Sequence, residues 1–375
     1  MKYIFSLSGD YIKLGVEEVL SLFNVGEYNL LDNLLIVDLK DNEKEIKKLG
    51  KRLALTKSIY KLLFECDADK LIEIMKKYDW NSIYKDSFCL RINYLKNPIK
   101  RKSINEEISL NSQTNKKSIK NAVHKDSEKN LAGYIWRSVN KPKVDLESPK
   151  TKIELFIVND KVYCGLLVKD VNENFESRKA HLRPFPHPSS LHPKLARALV
   201  NMTGIKENET LLDSFCGTGG FLIESGLMNI KIVGCDISKS MVKGCKENLR
   251  YFRIKRYKII NNNALNIKNK FDYAVTDLPY GLNSNVYLKS GSKSLKIKSN
   301  KINLKTSKKD AIKNIERFYL NFLKKLRKKL KNKAVIIFPS YVNYRKLLKT
   351  AKFKTEKEFS IYVHRSLTRK IVKVI

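Results

Sequence analysis

The chain has 375 residues, 42% of them hydrophobic, enough for two or three domains with a sizeable core, which excludes wholesale disorder. Lys and Arg number 75 against 38 acids, a net charge of +37 that exceeds what solubility needs. The excess points to a polyanionic partner, because each phosphate neutralised by a cation releases bound counterions; a lysine-biased composition and an anionic membrane surface are the competing explanations.

Residues 1–65 read as an α+β region. "YIFSLS" and "NLLIVDL" are strands around "DYIKLGVEEVLSLF", whose Ile12, Val16, Val19, Leu20 and Phe23 have helical spacing behind Asp10 as a cap. Residues 66–170 repeat the pattern more loosely. "FCLRINYL" is a strand, 97–125 are polar and weakly specified, and "SEKNLAGYIWRSV" is a helix capped by Ser127 with Leu131, Ile135 and Val139 on one face. Trp136 and Tyr134 are expected in its core. "TKIELFIVNDKVYCGLLV" is a hairpin around the turn "ND".

Residues 171–190, "NENFESRKAHLRPFPHPSS" within them, carry three prolines and little periodicity and read as a connector. Arg183 is a candidate RNA contact there, and His187 and His192 carry no chemistry. From 191 onward helices and apolar strands alternate. "ETLLDSFCGTGGFLIESGLM" is strand, glycine loop and helix; "IKIVGCDIS", "YKIINNNA", "FDYAVTDLPYG" and "AVIIFPS" are strands. "AIKNIERFYLNFLKKLRKKLKNK" is a long amphipathic helix, and "FSIYVHRSLTRKIVKVI" closes the chain as two strands. Such alternation predicts a doubly wound, mostly parallel sheet with helices on both faces.

None of the six cysteines forms a CxxC pair, and no histidine cluster lies near them, so no metal is expected. "MKYIFSLSGD" lacks the apolar core of a signal peptide, and no apolar run approaches the ~20 residues of a membrane span. The expectation is a cytoplasmic monomer that does not engage a membrane.

Three stretches carry chemistry. In "LLDSFCGTGG" an apolar strand ends at Asp213 and a glycine turn opens a helix, so the backbone can approach a ligand; an ordinary strand-to-helix turn is the plain alternative. Asp236, in "IVGCDIS", ends the next strand, where a carboxylate can accept bonds from both hydroxyls of a ribose or simply cap the following helix. In "TDLPYG", Asp277 ends a further strand. Its carboxylate and the carbonyls beside Pro279 can accept hydrogen bonds from an exocyclic amino group. Tyr280 offers a face for stacking, worth ~1–3 kcal/mol per base, and Gly281 turns the chain away.

In this order the three stretches resemble the class I methyltransferases that act on amino groups of bases with S-adenosylmethionine, whose target motif is usually [DN]PP[YFW]. One branch is closer: the THUMP-domain tRNA (guanine-10-N2) methyltransferases. "RKAHLRPFPHPSSLHPKLARALVNMTG" resembles their lead into the catalytic domain, "YVHRSLTRKIVKV" their closing strands, and "VDLESPKTKIELFIVNDKVYCGLLV" the end of a THUMP module. The likeness covers residues 130–375 well and the first 130 loosely.

The resemblance implies an α/β fold. A class I Rossmann-like domain (191–375), with an antiparallel strand at its C-terminal end, would follow an N-terminal ferredoxin-like region (1–65), a THUMP RNA-binding domain (66–170) and the linker (171–190). It implies that Asp213 and the backbone of Cys216, Gly217, Thr218, Gly219 and Gly220 hold the methionine part of S-adenosylmethionine. Asp236 would bind the ribose with Ile237 beside it, and Asn263 and Ala264 would flank the adenine. Asp277, Leu278, Pro279 and Tyr280 would grip the target base. This chain departs from the family's pattern in carrying "NNA" where an aspartate is usual and Leu278 for the first proline.

The implied reaction is direct displacement of a methyl group onto the N2 amino group of a guanine in tRNA, once or twice, with no covalent enzyme intermediate. The target base has first to leave its stack. Two other readings stay open: another base-amino methyltransferase, acting on guanine N2 of ribosomal RNA or on adenine N6, and an RNA-binding protein without catalysis. Retention of Asp213, Asp236, Asp277 and Tyr280 argues against the last. The lysine-rich stretch 282–309, with eight lysines beside the motif, is either a phosphate-binding flap or a solvated insertion.

Overall fold

A computed structural model describes residues 1–40, 43–95, 127–188, 190–280, 286–290, 293–297, 308–364 and 367–375. The polar stretch 97–125, Gly281, the Ser127 side chain and the side chains of 282–309 lie outside the description. The chain divides into two compact units: residues 1–12, 25–51 and 56–172, and residues 13–24, 52–55 and 173–375.

The first unit is built on one seven-stranded sheet. Its strands are β1 (Lys2–Leu7), β2 (Tyr28–Leu31), β3 (Leu34–Asp38), β4 (Thr56–Asp67), β5 (Phe88–Leu95), β6 (Thr151–Val158) and β7 (Lys161–Asp170), in the order β2-β3-β1-β4-β7-β6-β5. All neighbours are antiparallel except β5 and β6. The β6–β7 hairpin turns at Asn159 and Asp160, where Asn159 takes φ +56°, a left-handed backbone that asparagine tolerates better than most residues.

Helices α2 (Glu43–Gly50), α3 (Leu71–Lys77) and α4 (Ser127–Ser138) complete this unit, after α1 (Ile12–Phe23), most of which groups with the second. The core of the first unit joins Trp80, Phe88, Leu90 and Ile153 to Leu131 and Ile135 of α4 and to Val139 just beyond it. Trp136 is not in this core: it is 47% exposed, and Tyr134 is half-buried with Arg137 and Lys76 over its ring. One residue on from Ile135 is a turn of about 100° around a helix, so Trp136 falls outside the apolar stripe.

The second unit carries α5 (Pro193–Asn201), β8 (Thr210–Asp213), α6 (Gly220–Leu227), β9 (Lys231–Asp236), α7 (Lys239–Tyr251), β10 (Tyr257–Asn261), β11 (Tyr273–Asp277), the hairpin β12 (Val286–Ser290) and β13 (Lys293–Ile297), α8 (Lys308–Lys329), β14 (Ala334–Pro339), α9 (Tyr344–Thr350), β15 (Thr355–His364) and β16 (Leu367–Val374). Seven strands form one sheet in the order β10-β9-β8-β11-β14-β16-β15. The first five are parallel; β16 is inserted antiparallel between β14 and β15. This is the mostly parallel, doubly wound sheet with an antiparallel strand at the C-terminal end that the sequence predicts.

Burial on both faces explains why these strands read as continuous apolar runs rather than alternating ones. Leu211, Val275, Ile337 and Ile371 join the cluster under α5, α6 and α7. Their chain neighbours Leu212, Ala274, Ile336 and Val372 join the opposite cluster, with Phe318, Phe322 and Leu326 of α8.

Residues 173–188 pack within the second unit. Arg178 donates through Nε to Glu224 Oε1 (2.8 Å), and the Phe185 backbone exchanges bonds with the Asn248 side chain (2.9 and 3.0 Å). Arg183 is 4% exposed and donates through Nε to the Arg178 carbonyl, so it is a buried structural group rather than a surface for RNA. His192 caps α5, its Nδ1 accepting from the Lys194 amide. No helix among the described residues is long and apolar enough to cross a membrane.

Candidate active site

In an open parallel sheet the carboxyl ends of the strands form one edge, where loops are free to shape a site. The three aspartates the sequence singles out are the last residues of β8, β9 and β11, adjacent in the order β9-β8-β11. The topology therefore brings Asp213, Asp236 and Asp277 to one edge of one sheet.

Asp213 is 2% exposed, and its Oδ1 accepts from the Phe215 amide (3.2 Å) and the Thr276 hydroxyl (3.3 Å). Burial, aided by the charges of Asp236 and Asp277, pushes its carboxyl up to about 8 against the pull of these two donors. After Asp213 the chain turns through Gly217 (φ +50°) and Gly219 (φ +90°) into α6. A Cβ on Gly219 would stand 2.9 Å from Cys245 Sγ, so only glycine fits both the backbone and the space there. Cys216 and Thr218 are buried beneath the turn, with Thr218 Oγ1 3.1 Å from Ser190 Oγ, and Gly220 opens the helix.

Asp236 is half-buried and ties the edge together. Its Oδ2 accepts from the Gly217 amide and its Oδ1 from the Ser238 amide, both at 2.9 Å. The cap of α7 is Ser238, whose Oγ accepts from Met241 N, so Asp236 is not that cap. Ile237 beside it is 43% exposed. After β10, Asn263 caps a 3-10 turn at Ala264–Asn266, its Oδ1 accepting from Leu265 N at 2.9 Å, so its Nδ2 is the donor this cap does not use; Ala264 is buried.

At the end of β11, Tyr280 donates its hydroxyl to Asp277 Oδ1 at 2.7 Å. The loop is fastened from outside: Tyr319 of α8 donates to the Pro279 carbonyl (2.6 Å), and Tyr341, beyond β14, donates to the Tyr280 carbonyl. Of the carbonyls beside Pro279, that of Leu278 is the one not taken by a tyrosine. Leu278 itself is 1% exposed and donates its amide to Ile337 O, so a leucine here fills a core position where proline would lose that bond. Burial pushes the Asp277 carboxyl up to about 6, against the pull of Arg369 and the Tyr280 hydroxyl.

The model of an RMKL-like methyltransferase domain matches residues 180–286. The tRNA (guanine(10)-N2)-dimethyltransferase of Methanothermobacter thermautotrophicus is 32% identical, over 88% of this chain and 84% of that protein. The chain belongs to the tRNA (guanine(10)-N2)-dimethyltransferase family. The Pyrococcus abyssi protein of the same name is 29% identical, over 90% of this chain and 88% of its own length. Among solved structures, TrmN from Thermus thermophilus is similar across 100% of this chain and 99% of that one, at 14% identity and a TM-score of 0.49. Membership makes the protein an S-adenosylmethionine-dependent methyltransferase.

The residues present fit that cofactor. It is cationic at sulfur and at its amino group, and in a chain of net charge +37 this edge gathers three carboxylates, two of them carrying raised pKa values that a cation relieves. The buried Ser214 hydroxyl beside Asp213 has no partner among the described residues. Asp236 keeps acceptor lone pairs beyond its two backbone bonds, beside an exposed apolar residue suited to a flat base. Family membership and motif reading do not single out Arg369, Tyr319 or Tyr341. One clue was legible: an antiparallel closing strand starts at the edge where its parallel neighbours end, which places the arginine of "SLTRK" at the site.

Proposed function

We propose that this protein methylates the exocyclic N2 amino group of guanine 10 in tRNA, up to twice. The likeness to named dimethyltransferases across 88% of the chain carries this reading. The strand-end carboxylates explain how it would work.

S-adenosylmethionine supplies an electrophilic methyl group. Asp213 and the 216–220 turn hold its methionine end, Asp236 and Ile237 its ribose, and Asn263 and Ala264 its adenine. The guanine amino nitrogen is a poor nucleophile because its lone pair is delocalised into the ring. Asp277 Oδ2 and the Leu278 carbonyl accept its two hydrogens, orient the lone pair and favour a pyramidal nitrogen. Asp277 then stands as the acceptor for the proton the nitrogen sheds, its carboxyl near the range suited to a base at neutral pH. Pro279 stiffens the loop and Tyr280 borders the base. Most of the acceleration comes from positioning and from charge placed where it develops.

The division of labour belongs to the same proposal. It comprises a ferredoxin-like region (1–65), a THUMP RNA-binding domain (66–170), a linker (171–190) and a catalytic domain (191–375), acting as a cytoplasmic monomer. A basic chain and a tRNA-modifying family support it.

Nucleoside mass spectrometry of unmodified tRNA, incubated with the protein and S-adenosylmethionine, is expected to show N2-methylated and N2,N2-dimethylated guanosine at position 10. Methylation of adenosine, or of no base, would remove the reading. Replacing Asp236 by Ala removes at least one charge-assisted bond, worth ~1.5–3 kcal/mol, so affinity for S-adenosylhomocysteine is expected to fall ~10–150-fold or more by calorimetry. Unchanged affinity would exclude Asp236 from the ribose site.

A further inference from the structure

β16 pairs antiparallel with β14, Arg369 opposite Pro339, so this strand begins where β11 and β14 end. Arg369 reaches the target loop from there. Its Nε lies 2.9 Å from Tyr280 Oη and 3.9 Å from Asp277 Oδ2, and its side chain is 14% exposed. A guanidinium only donates, so the Tyr280 oxygen accepts from Arg369 and its hydrogen is committed to Asp277 Oδ1. The chain of bonds therefore has one direction, from Arg369 through Tyr280 to the carboxylate.

We propose that Arg369 is a positioning residue for methyl transfer: through the Tyr280 hydroxyl it fixes the Asp277 carboxylate as an acceptor, with Oδ1 engaged and Oδ2 left for the base amino group. The proposal rests on the methyltransferase reading above and adds a residue to it. Among the described residues, the groups facing Asp277 are few. Asp213 comes from β8, Tyr280 from the loop itself, Tyr319 from α8 and Arg369 from β16, with Tyr341 bonded to the Tyr280 carbonyl. Among the described residues Arg369 is the cation that favours the ionised form of Asp277 against its burial. Without Arg369, Asp277 keeps only the Tyr280 hydroxyl against its burial, which favours the neutral form. A neutral carboxyl with its proton on the wrong oxygen cannot accept from the amino group.

The test is kcat against pH at saturating S-adenosylmethionine on unmodified tRNA, for wild type, Arg369→Gln, Tyr280→Phe and the double variant. An opposite charge at this range is worth ~1–3 pH units, so the acid limb is expected to move from near 6 toward 8 in Arg369→Gln. That costs about tenfold at pH 7, and the loss is recovered by about pH 9. Tyr280→Phe, which keeps the ring and Arg369, is expected to move the limb in the same direction by less. The double variant is expected to show less than the sum of the two, as members of one relay do. Affinity for S-adenosylhomocysteine, which reports folding and the Asp213 side of the edge, stays within about twofold of wild type, a small fraction of 1.4 kcal/mol.

A uniform loss at every pH, or an unmoved limb in a variant that binds S-adenosylhomocysteine normally, overturns the proposal. If Arg369→Gln does not fold, Tyr280→Phe decides: a limb that stays in place there overturns it equally. A wild-type protein that transfers no methyl group to tRNA would instead sink the reading on which the proposal stands.

Discussion

Asp277→Ala is expected to lose methyl transfer to tRNA by ~10²–10³-fold or more in kcat, the scale for removing one preorganised electrostatic partner, while S-adenosylhomocysteine and tRNA still bind. Three features of the loop lead to this number. Asp277 is the only carboxylate on the 277–280 loop. The Pro279 and Tyr280 carbonyls are already committed to Tyr319 and Tyr341, so they cannot stand in for it. Tyr280 also loses the acceptor of its hydroxyl, which loosens the ring proposed to border the base. Asp277→Asn keeps a neutral acceptor and is expected to fall between Ala and wild type. Single-turnover methylation with tritiated S-adenosylmethionine separates transfer from binding. Full activity in Asp277→Ala would remove this carboxylate from the reaction.

Glu224→Ala is expected to be the most damaging substitution away from the chemistry. Glu224, on α6, is 0% exposed and accepts from Arg178 Nε (2.8 Å) and Nη2 (3.2 Å) and from Arg197 Nε (2.8 Å). The side chains of Arg178 and Arg197 are 10% and 3% exposed, and both guanidinium groups lie over the Phe175 ring. Glu173 contacts both arginines but is itself a third exposed, so it cannot replace the buried partner. Removing Glu224 strands two desolvated cations, for which the cost is ~3–5 kcal/mol. The clamp also joins residues 173–178 to the helix that follows the glycine turn, so its loss is expected to loosen that turn. Urea unfolding would measure the loss. Saturating S-adenosylhomocysteine is expected to offset up to ~2.7 kcal/mol at a hundred times its Kd. A change below ~1 kcal/mol would mean that Glu173 and water suffice.

These buried ions are where pattern reading stops. Glu17 and Glu18 sit in the middle of a helix whose apolar spacing is clear, yet both are buried. Glu18 accepts from the Ala54 and Leu55 amides and from Asn201, and Glu17 pairs with Lys373, whose side chain is 6% exposed. Periodicity sorts residues by their own polarity and assigns charge to water. A partner from 183 or 356 positions away leaves no trace in a local window. Trp136 is the opposite case: its spacing from Leu131 and Ile135 already excluded it from the apolar stripe, and bulk alone argued for the core.

Local sequence by itself determined the strand–turn–helix units of the second unit and the aspartates that end β8, β9 and β11. It could do so because apolar runs, glycine turns and strand-ending acids are short-range signals, each set by the backbone within a few residues. Only the tertiary structure decided which groups surround Asp277. Tyr319, Tyr341 and Arg369 arrive from a helix, a loop and an antiparallel strand that chain order does not bring together, and hydrogen-bond geometry, not residue type, selects them from among 18 tyrosines and 75 basic residues.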